Sequence, residues 1–180
     1  MLLLLSILVS CKQSPYDKLV DREMASGIRY DSIFLGIKFG MSQKDFYTHC
    51  WELNKQGLIL QGPSNLSVQY RLDTTLMRSD TYMWFYPDFQ DGELNRMPVE
   101  FSYLAWAPWN PMLSSDSLLM DVKQLLERWY GSEFIYLENK DKTKKLWVMV
   151  MGNRRIRLFI KNASTVGADI TDLYRVKNEN

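Results

Sequence analysis

"FLGIKFGMSQKDFYTHCWELNKQG" (residues 34–57) contains one complete helix with both of its ends spelled out. Ser42 is a good N-cap, because its hydroxyl can accept from a free backbone N–H of the first turn. Asp45, three residues on, sets a negative charge against those same donors. Met41 and Phe46 stand at the two positions of a hydrophobic staple. Phe46, Cys50 and Leu53 recur at helical spacing, and Gly57 supplies the stop. The pattern predicts a helix over 42–56 with one apolar stripe, and such a stripe must be laid on an apolar surface.

The next residues provide that surface. In "LSVQYRLD" (66–73), Leu66, Val68, Tyr70 and Leu72 alternate with Ser67, Gln69, Arg71 and Asp73. A two-residue period means one buried and one wet face of a strand. "TYMWFY" (81–86) reads as a second strong strand, and Asp91-Gly92 marks a turn. "MPVEFSYLAW" (97–106) alternates again through Met97, Val99, Phe101 and Tyr103, and a weaker strand lies at 58–61.

The order then repeats. Leu113 and Leu118 bracket Ser114 as a second staple and cap. Leu118, Val122, Leu125 and Trp129 form one helical face, widened by Leu119 and Leu126, until Gly131 closes the helix. Four strands are predicted after it, at 133–138, 145–151, 154–161 and 167–174, with Gly152-Asn153 suited to a tight hairpin. The caps Met41-Ser42 and Leu113-Ser114 lie 72 residues apart. The expectation is an α+β domain over 28–176, two helices packed on antiparallel sheet, built as a tandem helix-plus-four-strand repeat with halves at 33–111 and 112–176. Residues 177–180 read as a tail.

Ahead of the domain, Met1 to Val9 form an apolar run broken only by Ser6. A bilayer-crossing helix needs about 20 apolar residues, so the run is too short to span. It has the length of an export signal's apolar core, with small Ser10 before the cut. Leu8-Val9-Ser10-Cys11 resembles the lipobox of bacterial lipoproteins. That resemblance implies cleavage of residues 1–10 and acylation of Cys11, with residues 11–27 as a tether in which 17–25 can form a short helix. Two or more acyl chains hold a protein stably on a membrane. The expected address is the bacterial cell envelope, and Lys12, where an Asp would signal inner-membrane retention, favours the outer membrane.

"LGIKFGMSQKDF" resembles the "GMT-x-x-x-V" helix start of small outer-membrane-assembly lipoproteins of the SmpA/BamE type. The tandem element order is similar to the β-lactamase-inhibitor-protein architecture. Both families bind proteins and catalyse nothing, which the resemblance implies here too.

Composition agrees with one packed domain: 46% hydrophobic and 13% aromatic residues, with a formal net charge of +1. That balance gives no reason to expect a nucleic-acid partner. With Cys11 acylated, Cys50 has no intrachain partner and is expected to act as a small buried hydrophobe.

Catalytic motifs are hard to find. His49 is the chain's one histidine, and adjacent helical residues point about 100° apart, so His49 and Cys50 form no dyad. A solvent-facing or capping role is expected for it. A metal centre has no second histidine, and no cofactor is expected. The pairs Asp88 with Asp91 and Asp169 with Asp172 read as solvated turns and edges. Their spacing of three sends the second pair to opposite strand faces. The expectation is no enzyme.

Two binding constellations compete. Tyr103, Trp106 and Trp109 in "FSYLAWAPWNP" stand near a strand-to-loop junction, where they serve either core packing or an interface with a protein or a sugar. "NRRIRLFIK" places Arg155 and Arg157 on one strand face, which is either ordinary solvated surface or a cationic face for lipid headgroups, a phosphorylated glycan or an acidic partner. The leading expectation is a lipid-anchored, non-enzymatic protein-binding or envelope-assembly accessory module. A glycan-binding module using exposed Trp is the alternative, and an unrecognised hydrolase the third.

Overall fold

The computed structural model describes residues 13–63, 66–72, 74–139, 141 and 145–176. The expected export signal, Cys11 and the 177–180 tail lie outside the described residues. The described chain forms three helices and a nine-stranded antiparallel sheet, an α+β fold with helices packed on the sheet.

Helix α1 spans Pro15–Ala25, and α2 spans Gln43–Lys55. Strands β1 (Ile59–Gln61), β2 (Val68–Leu72), β3 (Thr81–Phe85), β4 (Asp88–Gln90) and β5 (Glu93–Tyr103) complete the first half. A 3-10 turn at Pro111–Leu113 leads into α3, Ser115–Tyr130. Strands β6 (Ile135–Glu138), β7 (Lys145–Met151), β8 (Arg154–Ile160) and β9 (Val166–Asp172) follow.

The strand order is β1-β2-β3-β5-β9-β8-β7-β6, with short β4 hairpinned onto β5. Each half therefore contributes a helix and four strands in the path. The halves meet where their last strands, β5 and β9, pair from Arg96↔Thr171 to Phe101↔Val166. Two half-sheets joined through equivalent strands make one continuous core.

The caps work as their residue types require. Ser42 accepts from the Asp45 backbone N–H at 3.1 Å, and Ser114 accepts from that of Ser117 at 3.3 Å. Gly131 ends α3 in the left-handed region at φ 69°, where a Cβ would be strained. The stripes of α2 and α3 then bury Phe46, Leu118, Val122, Leu125 and Leu126 against Met83, Phe85, Phe101, Ile156 and Ile170. The 28–40 segment adds Ile33, Phe34, Ile37 and Phe39 to that core.

Part of the stretch expected as a tether is a docked helix. Ser14 and Asp17 form a capping box at the start of α1, with Pro15 in its first turn. Its half-buried residues Tyr16, Leu19, Val20, Glu23 and Met24 recur at helical spacing. They lie over β7 on the face opposite α2 and α3, where Val148 and Val150 are buried. Among the described residues no helix is long and apolar enough to cross a membrane.

Candidate functional site

Alternation assigns every strand residue to one of two faces. Odd positions in β3 and the later part of β5, and even ones in β2, β8 and β9, point under α2 and α3. The opposite set forms an outer face. On the second half α1 covers this face. On the first half the outer face presents Gln69 and Arg71 of β2, Tyr82 and Trp84 of β3, and Pro98, Glu100 and Ser102 of β5. The Tyr82 and Trp84 rings lie 5.8 Å apart, and the Trp84 indole N–H donates to Gln69 Oε1 at 2.9 Å. Beside them a groove of about 380 Å³ runs between Leu66, Trp84, Pro98 and Glu100. Leu66 at its rim is 76% exposed.

Arginines gather where the two halves join. Arg96 of β5, Thr171 of β9 and Arg155 of β8 are register partners in one cross-strand row. In the next row Asp169 lies opposite Arg157. Asp169 is almost buried and accepts from Arg96 at 2.8 Å and from Arg157 at 3.1 Å. Arg96 also reaches Asp88 at 3.2 Å, and Arg155 donates to the Tyr16 hydroxyl of α1 at 3.0 Å. The pairing of β4 with β5 shifts register between Asp88 and Phe89, whose partners are Arg96 and Leu94. That irregularity inserts Asn95 and turns Arg96 toward the row, the usual effect of a bulge.

Arg155 and Arg157 are thus together on one face, as their spacing required. They are half-buried, in a cluster with Arg96, rather than an ordinary solvated surface. Arg96 was not singled out from the sequence. It lies just ahead of the predicted strand start at 97, and no local pattern announces the bulge. Arg154, on the other face, is 5% exposed, and burial lowers its pKa. Its guanidinium stacks 4.1 Å from the Tyr130 ring centroid and donates to the Ser32 carbonyl at 2.7 Å. It helps line a cavity of about 480 Å³ with Tyr30, Phe34, Tyr70 and Trp129.

The aromatic constellation does not assemble. Tyr103 is 2% exposed, and its hydroxyl donates to Asp121 at 2.7 Å, so of its two expected places it takes core packing, and it is no longer a candidate binding residue. Trp106 packs against the core, half-buried. Trp109 is 83% exposed, next to Asn110, whose side chain accepts from the Met112 backbone. The reading of Asp169 and Asp172 as solvated is also corrected. The two do sit on opposite faces, but both are buried and held by arginines, Asp172 by Arg29 at 3.2 Å and Arg175 at 3.4 Å. The ion pairs, not water, stabilise the charges.

His49 donates from Nε2 to the Leu35 carbonyl at 2.6 Å, since a carbonyl can only accept. It thereby pins the turn at Leu35 and Gly36, both at positive φ. Burial pushes the Cys50 thiol up to about 11, away from the range of a reactive cysteine. Among the described residues no three His, Cys, Asp or Glu are placed to hold a metal ion. No protein-family model, curated protein or solved structure matches the chain.

Proposed function

We propose that the chain is a lipid-anchored, non-enzymatic binding module of the bacterial cell envelope, tethered through Cys11 to the outer membrane, and that it recognises another protein. The observation behind this reading is the open outer face of the first half-sheet. Its neighbouring half is sheltered by α1, while Tyr82, Trp84 and the groove beside Leu66 are not. Trp, Tyr and Arg are enriched at the hot spots of protein interfaces, and Trp and Tyr bury large areas at little entropic cost. Gln69, Arg71 and Glu100 supply polar groups on the same face beside the rings. The lipobox residues Leu8-Val9-Ser10-Cys11 support the anchor, and the likeness of "LGIKFGMSQKDF" to assembly lipoproteins supports a protein partner.

Capture from detergent-solubilised envelopes, repeated with a Tyr82→Ala/Trp84→Ala variant, tests the recognition. A partner recovered with the parent and lost with the variant is expected. A partner retained by the variant, or none above background, refutes this face. Labelling with a radioactive fatty acid tests the anchor: the parent is expected to take label and Cys11→Ser to take none. A second reading, a glycan platform, rests on Trp109 and its 83% exposure. It predicts quenching of Trp fluorescence by envelope sugars that Trp109→Ala removes.

A further inference from the structure

Arg154 is a buried cation that no carboxylate answers. Its Nη1 donates to the Ser32 carbonyl at 2.7 Å and its Nη2 to the Met151 sulfur at 3.4 Å. The ring centroids of Tyr130 and Tyr30 lie 4.1 and 5.4 Å from its central carbon. All four neighbours are neutral. Asp172 is its register partner on β9, but that carboxylate is held by Arg29 and Arg175. The other buried charges among the described residues, Asp121, Asp169 and Asp172, are all matched by arginines. Buried charges are ordinarily paired, because leaving water without an opposite charge is costly. Burial lowers the Arg154 pKa, yet a guanidinium keeps its proton at neutral pH.

This arginine belongs to the wall of a cavity whose other walls are largely aromatic, with Tyr30, Phe34, Tyr70, Trp129 and Tyr130 around it. The lining runs from exposed Tyr30 to buried Phe34, so the cavity is reached from solvent. Mostly apolar walls with a few polar groups are the usual make-up of a small-molecule site. We propose that this cavity binds a small carboxylate carried on a flat aromatic body. One guanidinium calls for one negative charge. A cation would be repelled by Arg154, and a neutral ligand would leave it as it is. A dianion would bring a second charge among apolar walls with nothing to meet it.

The rings favour a planar body. Phe34 stands edge-on to Phe85 with centroids 4.9 Å apart and lies 6.4 Å from Trp129, an arrangement that an aromatic ligand continues. A flexible acyl chain would bury comparable apolar area but lose more rotational freedom on binding. The hydroxyls of Tyr30 and Tyr70 and the indole N–H of Trp129 make no hydrogen bond among the described residues, which leaves donors for substituents on such a ring. Tyr70 shares its side of the sheet with its register partner Met83, away from Tyr82 and Trp84. The cavity is therefore separate from the face proposed for a protein partner, and its binding is read on the isolated chain.

Titration calorimetry of the purified full chain at pH 7 and constant ionic strength tests it, with 2-naphthoate, its neutral amide 2-naphthamide and decanoate as probes. Saturable naphthoate binding is expected, about tenfold or more tighter than naphthamide and tighter than decanoate. Arg154→Gln is expected to weaken naphthoate by about tenfold or more and to leave naphthamide unchanged. Photolabelling of the unaltered chain with 4-benzoylbenzoate, mapped by mass spectrometry, locates the site. Label is expected on peptides carrying residues 28–35, 129–130 or 151–154, and excess 2-naphthoate is expected to suppress it. No saturable heat with naphthoate, naphthamide or decanoate binding equally well, or label confined to other segments overturns the proposal. So does a folded Arg154→Gln chain that binds naphthoate undiminished. Should that variant lose its far-UV circular dichroism, the three titrations and the labelling of the unaltered chain decide.

Discussion

Tyr103 and Asp121, both buried, form one network with Arg78 at the surface. Asp121 accepts from the Tyr103 hydroxyl at 2.7 Å and from the Arg78 Nη2 at 2.7 Å. Burial by itself would raise the Asp121 carboxyl, but the bonds from Arg78 and Tyr103 outweigh it and hold the pKa below its ordinary value. A carboxyl lowered on folding adds stability that is complete above the unfolded value, about 3.9, and is lost as pH falls through the lower folded one. Tyr103→Phe is therefore expected to cost about 1–3 kcal/mol at pH 7 in urea denaturation, with the gap to the parent narrowing below about pH 4. Alternation placed Tyr103 on a strand face but could not say what stood across from it. Cys50 is the second residue with a consequence. With its thiol at about 11, a Cys11→Ser chain is expected to be alkylated at pH 8 on the order of a hundred times slower than a free cysteine, as read by mass spectrometry.

Among the elements, the helices with strong caps were legible almost to the residue. The helix expected at 42–56 is Gln43–Lys55, and Ser114 and Gly131 bound α3 as read. Ser114→Ala is expected to lower stability by about 1 kcal/mol, measured by thermal unfolding. The strands expected at 145–151 and 154–161 are Lys145–Met151 and Arg154–Ile160. The strand expected at 97–106 instead runs Glu93–Tyr103, because the bulge at Asn95 breaks the alternation that would have revealed its start. Three-residue β4 was not foreseen, since it is too short to show a period. The docking of α1 escaped notice for a different reason. Its inner stripe mixes Tyr16 and Glu23 with Leu19, Val20 and Met24, and nothing in that pattern says which surface it meets. Leu19→Asp with Val20→Asp is expected to detach it and expose Val148 and Val150. Binding of a hydrophobic dye and a loss of about 2–4 kcal/mol would report this.

For the whole molecule, the doubled order of helix and four strands was visible in the spacing of the two caps. The joining of the halves was not, because strand order depends on which edges pair, and no local pattern encodes that. The consequence is cooperative. Phe101 of β5 and Val166 of β9 are register partners in one core that runs under both α2 and α3. Urea unfolding followed by near-UV and far-UV circular dichroism is expected to give coincident transitions, whereas independent halves would separate them. The arginine row depends on the same junction, since Arg96 comes from one half and Thr171 and Arg155 from the other.

The strand that closes the middle of the sheet, β9, is the last of its nine strands in chain order. Until β9 is made, β5 and β8 each present a raw row of backbone donors and acceptors, and the two halves have nothing to join them. A nascent chain therefore cannot complete its sheet before β9, from residue 166 on, has been made. A chain cut short before residue 166 keeps two adhesive edges for good, the kind of defect that seeds aggregates.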